Sequence, residues 1–239
     1  MCESFPENLK NLFQFEEEVR ATSVTLIAQD PDLQLHLDLV EATMNVADTL
    51  RQCPTQDDDF AVVQVLAMRL FNGFAASLKL VVSGYGQIGA QIVRDLLETS
   101  FLLDFFSGDR AAISEWRGAD RKQRIKKFGP LHIRMALDTR DGLQEEKRRV
   151  AYELLSELAA HPTTLSPIMM RPEAGGPAKI GPFTNAKALT ALLSELGKQA
   201  AHAGNILIAF LPKEHAEACA AAGTFKAKKA CWTKKFWDN

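Results

Sequence analysis

Arg94 and Glu98 stand four residues apart in GQIGAQIVRDLLETSFLLDFF, among apolar positions (Ile88, Ile92, Leu96, Leu103, Phe106) that recur at helical spacing. On a helix, side chains at i and i+4 are within reach of one another. A half-buried guanidinium beside a carboxylate can bind an anion or a substrate between helices. It can equally be an ion pair that fixes packing register, because a buried charge must be paired whatever its role. Arg69 and Asn72, on the preceding segment, are residues such a pair could meet. A histidine that could join it lies farther along: His161 follows Leu154 and Leu158 at spacings of four and three. It could serve as a general base or a nuclease histidine, or as the polar end of a helix. Tyr152 and Ser156 are i, i+4 partners about half a turn away from Leu154, so one helix aims them and His161 together only if the chain turns at Pro162. Arg94, Glu98 and His161 are thus the candidate catalytic residues. Arg69, Tyr152 and Ser156 are the candidate substrate-binding ones.

Two further patterns compete with this set. LKLVVSGYGQIGAQIVRDLLE carries Gly84, Gly86 and Gly89 in a G-x-G-x-x-G array, with Asp104 twenty residues beyond the first glycine. Where a strand precedes such an array, its glycines bring backbone amides to a pyrophosphate. Here the preceding residues continue a helical stripe, Val63, Ala67, Leu70, Phe74, Leu78 and Val81, so the context favours a helix-to-helix turn at Gly84. The C-terminal segment interleaves Lys226, Lys228, Lys229, Lys234 and Lys235 with Phe225, Trp232, Phe236 and Trp237. Lysines can meet phosphates while aromatic rings stack on bases. Lys228, Lys229, Trp232, Lys234 and Trp237 are accordingly the candidate nucleic-acid contacts, unless the tryptophans dock on the domain and leave the lysines solvated. Arg121, Lys122, Arg124, Lys126 and Lys127 form a second basic patch, read as a solvated face.

Other chemistries find no footing. There is no G-x-S-x-G elbow, no HExxH, and no clustered His, Asp and Glu set for a metal. His36, His132, His202 and His215 are scattered, and Cys2, Cys53, Cys219 and Cys231 lack C-x-x-C spacing. No metal and no cofactor is expected.

The elements that must position these residues are helices. Ser4 and Pro6 open the first, Asp30-Pro31 divides it from a second that ends before Pro54, and Asp57, Asp58 and Asp59 supply the acidic start of a third over 59–82. A fourth runs over 86–106. Asp109 is a cap for a fifth containing Trp116, and Gly129-Pro130 breaks the chain again. Residues 142–160 form an amphipathic helix stopped at His161-Pro162. Residues 161–184 hold Pro162, Pro167, Pro172, Pro177 and Pro182 with Gly175-Gly176, a loop or a small hairpin. Thr184 then caps a long helix to about Leu211.

The expected fold is all-α, a bundle of seven to nine helices. It divides into an N-terminal helical pair (1–55), a main helical domain (56–222) and a basic aromatic tail (223–239).

Composition is that of a water-soluble domain, 46% hydrophobic and 24% charged. No run approaches the roughly 20 apolar residues that cross a bilayer. The acidic start has no apolar leader core. The expectation is a cytoplasmic protein with free thiols and no membrane partner. Charge is uneven: eight Lys/Arg face nineteen Asp/Glu in residues 1–120, and twenty face eleven thereafter. Such a split suits a basic surface for an anionic partner, or two halves that neutralise each other within the chain or in a homodimer.

Taken in order, these features resemble a bacterial all-helical family of unknown function. Its pattern is an arginine-led helix (Arg69), a Gly-aromatic turn (Gly84-Tyr85), an R-x-x-x-E helix (Arg94, Glu98), a Y-x-x-x-S-x-x-x-x-H-P helix end (Tyr152, Ser156, His161, Pro162) and IGPF at 180–183. The likeness spans roughly residues 60–210. It implies an all-helical core and no set activity. Families of this outline are similar to the HEPN group (higher eukaryotes and prokaryotes nucleotide-binding), many of whose members are dimeric RNases. RNA or a nucleotide would then be the ligand. The chain departs from that group's Arg-to-His spacing of four to six residues, since Arg149 precedes His161 by twelve.

Overall fold

The structure, a computed structural model, describes residues 5–143 and 147–238. It is all-α. Among the described residues there are ten α-helices and no strand: α1 (Glu7–Gln29), α2 (Pro31–Gln52), α3 (Asp58–Val82), α4 (Gly86–Gly108), α5 (Ala111–Gly118), α6 (Arg121–Phe128), α7 (Pro130–Arg140), α8 (Lys147–Leu155), α9 (Ala186–Ile208) and α10 (Ala216–Phe236). A π-helical turn, Ser156–Ala160, extends α8, and a 3-10 turn lies at Ser166–Met170.

The starts follow local chemistry. Asp30 accepts from the amides of Asp32 and Leu33, with Pro31 at the first helical position. Asp57 caps α3, and Asn185, next to the expected Thr184, caps α9. The single helix expected after Asp109 is two. Gly118-Ala119 ends α5, and Asp120 with Gln123 builds a reciprocal capping box that starts α6. This split adds one helix, and α7 follows the expected break at Gly129-Pro130. The cap expected at Ser4, and residues 144–146 of the amphipathic segment 142–160, lie outside the described residues.

Helices α2, α3, α4 and α9 make the centre. Leu39, Val46, Val63, Leu70, Phe74, Val93, Leu96, Leu193, Leu196 and Leu207 are sealed there. Helix α3 is, by length and composition, apolar enough to cross a membrane, which the sequence reading did not anticipate. Its buried stripe is instead spent on α2, α4 and α9. Segment 161–185 is the loop of the two expected forms. It packs Phe183 over the junction of α3 and α4.

The G-x-G-x-x-G array is that junction, and the strand that a dinucleotide turn requires is helix α3. Gly84 has φ +86°, and a Cβ there would stand 2.6 Å from the Phe183 amide nitrogen and 2.8 Å from Val19. Gly89 lets α4 close on α3: a Cβ would meet Val81 at 2.6 Å, while Ser77 Oγ donates to the Gly89 carbonyl at 2.9 Å. The glycines therefore serve packing. Gly84→Ala is expected to cost about 2–4 kcal/mol, from the left-handed backbone and the clash with the Phe183 backbone. Urea denaturation measures it, and a loss under about 1 kcal/mol would contradict this role of the turn.

The segment expected to be a tail is part of α10, laid along α2. Trp232 is 1% exposed, and its Nε1 donates to Nδ1 of buried His36 at 2.7 Å; Phe236 stacks on the same imidazole at 4.4 Å. Trp232 is therefore core and has no face free for a base. Trp237 is exposed and lies edge-on to it at 5.4 Å. Lys228 pairs with Asp38 at 2.6 Å and Lys235 with Asp32 at 2.9 Å. Lysines of the basic half thus neutralise carboxylates of the acidic half. Lys229 is half-buried and Lys234 exposed.

Candidate functional site

Helix α4 meets α7 and α8 along one side, around Leu97, Phe101, Ile133 and Leu137. Apolar spacing on α7 buries Ile133 and Leu137. Arg134, about 60° from Leu137 on the helical wheel, is carried inward with them and is only 7% exposed.

Tyr152 of α8 is the hub. The Arg134 guanidinium lies over its ring, 4.0 Å from the centroid, and the Arg94 guanidinium is 4.6 Å from the same centroid. Arg94 Nη2 donates to the Tyr152 hydroxyl and sits 3.0 Å from Glu98 Oε1. The two arginines are not equivalent. Arg94 has a carboxylate. Arg134 has none within ion-pair distance among the described residues, and its Nε and Nη1 are sealed from solvent without a hydrogen-bond partner. Arg94 Nε is likewise without one. The contact with the Tyr152 ring offsets part of the cost of burying Arg134. It leaves the in-plane N–H donors, which point away from ring faces, unsatisfied.

Toward the C-terminal end of α4 the charges are paired. Arg140 grips Asp104 at 2.9 Å and Asp141 at 2.7 Å, and Arg148 bridges Asp138 at 2.6 Å and Asp141. The Arg140 hydrogen bond, with that of Arg148, holds the Asp141 carboxyl down to about 2. Behind Phe101, His202 of α9 is edge-on at 5.8 Å; its Nε2 and the nearby buried Ser100 Oγ and Gln199 Oε1 are without partners among the described residues.

The expected site residues thus separate. Arg94, Glu98 and Tyr152 converge. Ser156 is beside them in sequence, but its Oγ is bound to the Tyr152 carbonyl at 2.8 Å, inside the helix. Arg69 is turned to the surface, where it pairs with Asp95 at 2.5 Å. The α8 helix passes into the π-helical turn before His161, whose amide reaches back to the Ser156 carbonyl. Gln91 secures that turn by donating to the Ala159 carbonyl at 2.7 Å. His161 itself is exposed, and its imidazole bonds none of the cluster. Arg134 is the residue that sequence reasoning missed. Its signal was a lone charge in HIRMAL, on the side of α7 that the apolar spacing marks as inward. No group of His, Cys, Asp and Glu among the described residues could hold a metal.

Two histidines, His36 buried and His202 half-buried, give the fold a pH response. Burial pushes the pKa of His36 below its ordinary value, and does the same to His202; Asp32 opposes it at His36 and Asp104 at His202. A histidine kept neutral in the fold takes up its proton more readily in the unfolded chain. Stability is therefore full above the unfolded value of about 6.5 and falls as pH drops through it. Asp141 contributes a separate loss only between about pH 4 and 2. Urea midpoints are expected to decline between about pH 7 and 5.5, and His36→Gln to flatten part of that decline. A level profile over the same interval would contradict it.

No family model, curated protein or solved structure matches this chain.

Proposed function

We propose that this chain is a non-catalytic helical binding module that captures an oxyanion, a phosphate or carboxylate group, between α4, α7 and α8. One observation carries the reading: Arg134 is nine-tenths buried with two guanidinium nitrogens unpaired, beside a second arginine that also has an unpaired Nε. A buried cation without a partner is costly. Two guanidinium forks beside one phenol match the planar, multi-donor recognition that carboxylate and phosphate favour. Glu98 holds Arg94 in place and Tyr152 holds both.

A binding role is favoured over catalysis because, among the described residues, the groups at the arginines that could act as nucleophile or base, Glu98 and Tyr152, are bonded to Arg94. Ser156 is internally bonded and His161 lies outside the cluster, so cleavage of RNA through Arg94, Glu98 and His161 draws no support from these contacts.

Thermal denaturation at constant ionic strength tests the reading. Inorganic phosphate is expected to raise the Tm in a saturable way that chloride does not reproduce, amounting to about 2.7 kcal/mol at a hundredfold excess over Kd. Equal curves in phosphate and chloride would remove the basis for an oxyanion site.

A further inference from the structure

None of the residues of helix α6 is buried. Its two sides differ. Lys127 is tied to Glu115, Arg124 lies over the Trp116 ring at 6.0 Å, and Phe128 meets Phe105 and Phe106 at 6.3 Å. These three residues fasten α6 to the body. Arg121, Lys122, Ile125 and Lys126 fall on the remaining arc, about 140° wide at 100° per residue. All four are exposed, Ile125 at 63%. Among the described residues, Arg121, Lys122 and Lys126 have no carboxylate partner. The apolar exposure continues into α7, where Leu131 (56%) and Met135 (59%) are i, i+4 neighbours on the side opposite Ile133 and Leu137. From residue 121 to 137 the chain has no acidic residue.

An exposed isoleucine among exposed cations, followed by an exposed Leu-Met pair, is a mixed surface. It needs a partner that is anionic outside and apolar beneath. We infer that the outward face of α6 with Leu131 and Met135 of α7 docks on an anionic lipid surface, the cations meeting headgroups and the apolar side chains entering the acyl boundary. This is contact with a bilayer and not passage through it, and it is independent of the Arg94–Arg134 site. A nucleic acid would be drawn by the same charge but would gain from stacking rings. Here the local rings, Trp116 and Phe128, face inward.

Co-sedimentation with vesicles decides it. The full chain is expected to pellet with phosphatidylcholine vesicles containing about 30 mol % phosphatidylserine and to stay in solution with phosphatidylcholine alone, with binding weakened by salt. Lys122→Glu/Lys126→Glu and, separately, Ile125→Ser/Leu131→Ser should each lower binding at least about tenfold. Both pairs are exposed, so circular dichroism should match the parent. The inference is overturned by failure to bind anionic vesicles, by equal binding to neutral ones, by an Ile125→Ser/Leu131→Ser variant that binds like the parent, or by a single-stranded RNA that binds through these lysines more tightly than the vesicles.

Discussion

Trp232→Ala is expected to destabilise the protein by about 3–5 kcal/mol, the range for removing a large buried aromatic side chain. The loss has two sources. The indole is 1% exposed in the seam between α2 and α10, so its removal leaves a cavity among packed helices. Its Nε1–H is also the donor to Nδ1 of His36, which is 3% exposed and would keep an unsatisfied acceptor. A domain of this size has about 5–15 kcal/mol in total, so the variant approaches unfolding at room temperature. Trp237→Ala is the matching control: that side chain is 62% exposed and should cost under about 1 kcal/mol. Chemical denaturation of both variants distinguishes an integral helix from an appended basic arm. Near-equal small losses would contradict the docking of α10.

Arg134→Met is expected to separate stability from binding. Exchanging a buried, unpaired guanidinium for an apolar side chain of similar length removes a desolvated charge, so the ligand-free protein should be as stable as the parent or about 1–2 kcal/mol more so. The response to phosphate should fall at least about thirtyfold, roughly 2 kcal/mol of lost charge-assisted bonding. Arg94→Met should weaken phosphate binding too, but with some loss of stability, because Glu98 and the Tyr152 hydroxyl lose their partner. An Arg134→Met protein that is strongly destabilised would instead make the residue a structural strut on Tyr152.

The sequence shows the helices well because their boundaries are local chemistry. Asp30-Pro31, Asp57 and Gly84 each act through their own backbone, and the stripe from Val63 to Val81 already reads as a buried face. The Arg94–Glu98 pair is legible for the same reason, as i, i+4 contact belongs to a single helix.

What is not legible depends on other helices. Tyr152 joins Arg94 only because α8 returns along α4, and His161 is excluded from the cluster because the chain leaves helical geometry through a π-turn. Arg134 on α7 looks like one more cation in a basic region until packing carries it inward. The α10 error has a similar origin. Ala218, Ala221, Phe225 and Trp232 form its buried stripe, but lysines on the other faces conceal that periodicity. The partners that give the stripe meaning, His36 and Asp38, are about two hundred residues away in sequence.

The most direct measurement is of the arginine side-chain Nε–H resonances in nitrogen-15-labelled protein, titrated with inorganic phosphate. Nε is without a partner in both Arg94 and Arg134, so each proton reports on a new acceptor. The account predicts that these two resonances move together and saturate, with the Arg134 signal absent and the Arg94 shift much reduced in Arg134→Met. Phosphate that leaves both resonances in place while shifting only exposed arginines such as Arg121 or Arg69 would contradict an oxyanion site at Tyr152.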